Sequence, residues 1–167
     1  MKLTIMLGFV LMIDLFLLLW IAVGMVKDKR LFTSAPKDIQ EVALEHDEDY
    51  PGQRYLGWFL LILCAAVYAG TYVYGAYDGI RNGFGFWDFF FRFLIMSYLL
   101  KAFDIIFLDY FLLTKSHFFQ HYYPETQGCK GYHSFGFNRR EQLTRIVLYP
   151  FLCAFLSFVC VLIEAHL

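Results

Sequence analysis

The sequence predicts an all-α fold: a polytopic membrane protein built as a four-transmembrane-helix bundle, with a small cytoplasmic cap that includes a short amphipathic helix. Three observations carry that prediction. The 167 residues are 59% hydrophobic and 21% aromatic, with a mean hydropathy of +0.52, which is more apolar surface than a soluble domain of this length can hide. Four stretches approach or exceed the roughly 20 residues a helix needs to cross the hydrocarbon core. The polar connections between them alternate between strongly basic and nearly free of bases. In lipid every backbone polar group must bond internally, and four short spans cannot close a barrel, so the spans are helices. The whole chain, 1–167, reads as a single membrane domain.

The first span covers about residues 3–26 and is interrupted only by Asp14. Its apolar run exceeds the ~7–15 residues of a signal-peptide core and carries an acid inside it, so a retained helix is expected. The second span, about 55–77, holds the small residues Ala65, Ala66, Ala69, Gly70, Gly75 and Ala76. Ala66 and Gly70 stand at i, i+4, a spacing that lets helix backbones approach closely. Packing inside the bundle is the expected use of that face, and a homodimer contact is the alternative. The third span, about 86–114, is apolar but charged, and the fourth covers about 146–165.

Orientation follows from the loops. The connection 27–54 holds Lys27, Lys29, Arg30, Lys37 and Arg54, and the connection 115–145 holds Lys115, Lys130, Arg139, Arg140 and Arg145. The short turn from Asp78 to Gly85 has only Arg81, and the N-terminus only Lys2. Basic loops stay in the cytoplasm, so both termini are expected outside a multi-pass cell-membrane protein.

The third span is the chemically unusual one. An ionised side chain at mid-membrane depth costs at least ~2.5–3.5 kcal/mol, so it normally has a partner. At 100° per residue Ser97, Lys101 and Asp104 fall within about 60° of one another. Asp14 sits near the middle of a parallel helix, at similar depth to Lys101. An intramembrane polar cluster of Asp14, Lys101 and Asp104, with Asp109 toward the cytoplasmic end, is therefore expected. Two carboxylates against one lysine call for a further donor, and Tyr68 or Tyr72 can supply it. Such a cluster either fixes which helices meet or forms a polar pocket or proton site. Nearer the outer end, Asp88 and Arg92 are expected to pair at i, i+4.

In the first loop Ser34 suits an N-cap and Pro36 a first helical turn, which predicts an amphipathic helix from about Pro36 to Glu45. The acidic run Glu45 to Asp49 reads as a solvated loop, with a hard-cation site as the alternative. In the later loop His117 and His121 stand one helical turn apart, and Cys129 and His133 follow at a C-x3-H spacing. These four ligand types suit a tetrahedral zinc ion. Against this, Pro124, Gly128, Gly131 and Gly136 make a folded turn whose spacing matches no tight zinc motif, and His and Tyr are ordinary anchors at a membrane surface.

Several classes are excluded. The formal net charge of −1 gives no electrostatic footprint for nucleic acid. No P-loop, dinucleotide fingerprint, nucleophile elbow or HExxH is present. All five histidines lie in loops or at helix ends, which leaves no ligand for a haem held between helices. The four cysteines form no CxxC. SAPKDIQEVALE (Ser34–Glu45) and FDIIFLDYFLL…YYPETQGCKGYHSFGF (Phe103–Phe137), with D-x4-D leading to P-x-T-x-G-x-x-G-Y, resemble a group of small four-span bacterial membrane proteins with no assigned activity. The resemblance implies four spans and brings no catalytic residues, and the loop histidines lie outside its pattern.

The expected function is that of a small integral membrane protein that binds a lipid or small polar ligand, or serves as a subunit of a membrane assembly. Membrane lipids and a second copy or another membrane protein are the expected partners. The alternatives are a membrane-embedded lipid-modifying or redox enzyme, using His117, His121, Cys129 and His133 with Asp109 nearby at the cytoplasmic face, and a proton-coupled transporter.

Overall fold

The computed structural model describes residues 1–28, 31, 35–44 and 46–166, and among these the regular structure is helical, with no strand. Helix α1, Lys2–Ile21, continues as a wide π-type segment, Ala22–Val26. Helix α2 is the short Lys37–Val42, and α3 is the long Gln53–Arg81. Helix α4, Phe86–Phe103, is prolonged by wide turns over Asp104–Lys115. A short α5, Phe118–Tyr122, and two 3-10 turns, Pro124–Thr126 and Lys130–His133, lead into α6, Arg139–Ala165.

Among the described residues three helices are long and apolar enough to cross a membrane: Lys2–Val26, Gln53–Arg81 and Arg139–Ala165. The fourth expected span is helical from Phe86 to Lys115 but does not meet that standard. Asp88, Arg92, Lys101, Asp104 and Asp109 all fall within it and dilute its hydropathy. Helix α6 begins seven residues before the apolar run that predicted it. Its first two turns are polar and held by local contacts, Thr144 to the Arg140 carbonyl at 2.9 Å and Arg145 to Glu141 at 4.0 Å. The amphipathic helix is also shorter than expected, and Ser34 and Glu45, its proposed ends, lie outside the described residues.

The chain divides into two compact units, one of residues 1–14, 66–102 and 140–167, the other of residues 15–65 and 103–139. In the first unit burial follows helical periodicity. Thr4, Leu7, Leu11 and Asp14 form the buried stripe of α1, and Phe89, Phe93, Met96 and Leu100 that of α4. Cys153 and Cys160 of α6 pack with Phe89 and Phe93. The α3–α4 turn closes with Gly83 at φ +65°, where the Phe84 N–H reaches the Gly79 carbonyl and the Gly83 N–H that of Ile80. That is a Schellman closure, and its left-handed position costs glycine nothing.

The turn corrects one expectation. Arg92 does not pair with Asp88. Its guanidinium donates to the Asp78 carboxylate at 2.8 Å and to the Gly75 carbonyl at 2.7 Å, and lies 4.2 Å from the centre of the Phe84 ring. Asp88 instead accepts the Gly85 N–H at the start of α4. The reason is competition: an i, i+4 carboxylate at the helix start is drawn to unsatisfied backbone donors. The hairpin meanwhile brings Arg92 both an acid and a second acceptor, the Gly75 carbonyl. The small-residue face of α3 divides as well. Gly75 faces Leu7, Arg92 and Met96, but Ala66 and Ala69 are exposed and a Cβ on Gly70 would meet nothing.

Pro150 lies inside α6 and has no N–H for the Ile146 carbonyl one turn back. The Tyr98 hydroxyl donates to that carbonyl at 3.2 Å. A gap in the helical ladder is thereby closed from a neighbouring helix, as an apolar setting requires.

The second unit is likewise helical. Ile39 of α2 is fully buried with Val23, Leu113, Phe119, Tyr123 and Tyr132, a burial that contributes roughly 2–3 kcal/mol. The described part of the acidic run, His46 to Asp49, is a loop with exposed acids, as expected, and it also caps α3. Glu48 accepts the backbone N–H groups of Gly52 and Arg54 at the start of α3, and Asp49 accepts Lys27 at 2.7 Å. Buried Gln53 ties this end to α1's extension by donating to the Gly24 carbonyl at 3.2 Å.

Candidate functional site: a buried polar column and a helical cap

Helical stripes decide which polar groups go inward. Asp14 is only 5% exposed and Lys101 3%, because each sits on the buried face of its helix. Four residues before Lys101, Ser97 lies on the same face of α4. Its hydroxyl is 3.1 Å from that of Tyr72 and 3.9 Å from the Cys153 sulfur. Tyr72 in turn lies against Tyr68, whose phenol is within electrostatic reach of Asp14. The first unit thus contains a column of polar groups from Asp14 through Tyr68, Tyr72 and Ser97 to Cys153. Neither Asp14 nor Lys101 is without a partner. The tyrosines read from the sequence as extra donors do belong to this column.

Asp104 and Asp109 fall in the second unit, and both are half-buried. Asp109 accepts the Asn138 side-chain amide at 3.1 Å, which ties the extension of α4 to the approach to α6. Asn138 was invisible to sequence reasoning. A lone amide in a loop carries no signal until the fold brings it to an acid.

The zinc set does not assemble. Among the described residues no three His, Cys, Asp or Glu side chains come together to hold a metal. His117, His121 and His133 are exposed, and the Cys129 sulfur faces the Asp38 carbonyl at 3.8 Å. Burial, aided by the Asp38 charge, pushes the Cys129 thiol above its ordinary value, away from the thiolate that zinc requires. The C-x3-H spacing arises instead from a 3-10 turn that docks on α2. The Gly131 N–H donates to the Asp38 carboxylate at 2.7 Å, and a Cβ at Gly131 would collide with Pro36 and Asp38.

The cap's own chemistry centres on Glu125. It accepts the Leu44 N–H at 2.9 Å and meets the His46 ring at 3.0 Å. Burial alone would raise its carboxyl, but the hydrogen bonds from Leu44, its own N–H and His46 hold it below the ordinary value. In the same unit the Thr126 and Tyr132 hydroxyls bond at 2.6 Å. His46, one of the five histidines read as lying in loops or at helix ends, is therefore a structural partner of Glu125.

Together these elements define, among the described residues, a helical protein with three helices long and apolar enough to cross a membrane and with buried polar groups. In comparisons with known proteins, no family model, no curated protein and no solved structure matches the chain.

Proposed function

We propose that the protein is a four-span integral membrane protein of the cell membrane, with both termini outside and its basic loops in the cytoplasm. In this reading it works without enzymatic chemistry, by binding a membrane lipid or a small polar ligand. The observation that carries the reading is the division of faces along α4 and its extension. Arg92, Ser97 and Lys101 are buried, whereas Phe91, Tyr98, Ile106 and Phe111 are exposed. A helix that buries these charges and leaves large apolar side chains on its other face suits lipid despite a modest average hydropathy. That supports a fourth crossing in the one segment composition disfavours. Asp14 then pairs with Lys101 at mid-membrane depth.

Native mass spectrometry from mild detergent tests the binding, with a retained lipid or metabolite expected and a bare polypeptide overturning it. Asp14→Asn combined with Lys101→Met is expected to reduce retention of a polar ligand, and unchanged retention removes the cluster from the site. Labelling of Cys129 by a membrane-impermeant maleimide is expected only from the cytoplasmic side, and outside labelling reverses the orientation. A second reading, a subunit of a larger assembly, is favoured by the exposed Ala66–Gly70 face of α3, which nothing in the first unit covers.

A further inference from the structure

The exposed side of α6 is not uniform. Arg140, Leu143, Thr144, Val147, Leu148 and Phe151 recur at i, i+3 and i+4 and line a shallow, open groove along the helix. Its polar mark is at one end. The Thr144 hydroxyl is turned back to the Arg140 carbonyl, so the lining below Arg140 is apolar. Among the described residues the Arg140 side chain meets no carboxylate. The nearby Glu141 reaches Arg145, which lies about 140° around the helix from Arg140. A cation without an acid, at the head of an apolar trough, is complementary to an anion on an apolar tail.

Dimensions agree with that occupant. At 1.5 Å per residue Arg140 and Phe151 are about 16 Å apart along the axis, close to the ~15 Å hydrocarbon depth of one leaflet. A second groove on the same helix, lined by Val159, Leu162, Ile163 and His166, has no Arg or Lys in its lining. The two ends of α6 therefore offer similar apolar troughs but only one permanent cation. We propose that the Arg140 groove binds an anionic phospholipid, the headgroup phosphate on the guanidinium and one acyl chain along Val147, Leu148 and Phe151. This rests on the lipid-binding reading above and names the lipid class and its site. Arg140 also belongs to the loop expected in the cytoplasm, where anionic lipids concentrate.

The test uses the full-length protein in mild detergent with equimolar dioleoylphosphatidylglycerol and dioleoylphosphatidylcholine, the adducts being counted by native mass spectrometry. Wild type is expected to prefer the anionic lipid by about fivefold, the effect of one basic side chain near a charged surface. Arg140→Lys keeps the preference, Arg140→Gln abolishes it, and Arg145→Gln, on another face, leaves it intact. Equal retention of the two lipids by wild type overturns the proposal. So does a preference that Arg140→Gln does not change, or one that Arg145→Gln removes equally. Retention of neither lipid overturns instead the lipid-binding reading on which it rests.

Discussion

Removing the Tyr98 hydroxyl tests whether a neighbouring helix repairs the defect that Pro150 makes in α6. Tyr98→Phe keeps the ring, and so its 6.3 Å contact with Tyr149, while deleting the donor that the Ile146 carbonyl receives from outside its own helix. The bond is 3.2 Å, longer than the usual 2.7–2.8 Å of a hydroxyl donor. Interhelical hydrogen bonds in membranes average about 0.6 kcal/mol and reach ~1.7 kcal/mol. A cost of about 1 kcal/mol is expected, near fivefold in the unfolding equilibrium. In a Pro150→Ala background the backbone N–H that proline lacks is restored, and it reaches the Ile146 carbonyl from within the helix. There Tyr98→Phe should cost only a few tenths of a kcal/mol, giving a coupling of about 0.5–1 kcal/mol. Sodium dodecyl sulfate titration of protein in mixed micelles, followed by fluorescence of Trp20, Trp58 and Trp87, measures all four corners of the cycle. A coupling indistinguishable from zero refutes the repair. So would a larger cost of Tyr98→Phe in the Pro150→Ala background than in wild type.

Other consequences can be checked in the same way. Arg92→Met leaves Asp78 without its guanidinium partner and is expected to cost about 2–3 kcal/mol in the same titration, below the ~3–5 kcal/mol of a fully buried pair because Asp78 is partly exposed. Asp88→Asn should cost less than about 1 kcal/mol, since it caps α4 and leaves Arg92 paired. Gly131→Ala forces a Cβ into Pro36 and Asp38 and should destabilise the cap by about 1–3 kcal/mol, seen as faster hydrogen exchange at the Gly131 and Ala43 amides. Glu125 is held below its ordinary value of 4.5, so its stabilisation is complete above that pH and is lost as pH falls through the lower folded value. Exchange at the Leu44 amide, corrected for intrinsic rate, should accelerate over that acid range in wild type and be fast at all pH values in Glu125→Gln.

How much was legible in advance depended on whether a feature is local. Hydropathy and periodicity are properties of short windows, and they located long helices at 3–26, 55–77 and 146–165 and placed Asp14, Ser97 and Lys101 on faces that the structure buries. The third window was harder because it averages two faces of opposite character. Partner choice escaped the sequence. Arg92 looked paired with Asp88 because i, i+4 is the only neighbourhood a linear reading sees, yet the hairpin supplied Asp78 and a carbonyl. The His and Cys spacing looked like a metal site because spacing records separation along the chain, whereas a metal needs convergence in space.

The sequence by itself determined the helical class, the membrane-compatible composition and the inward faces, since burial of apolar stripes follows from the 100° step of a helix. Only the tertiary structure decided which polar groups meet. Asp109 found Asn138, Glu125 found His46, and Ile146 found Tyr98 through contacts between segments 29, 79 and 48 residues apart. A buried donor or acceptor takes whichever partner the packing of apolar surfaces delivers, because leaving it unmade costs more than a distant partner does.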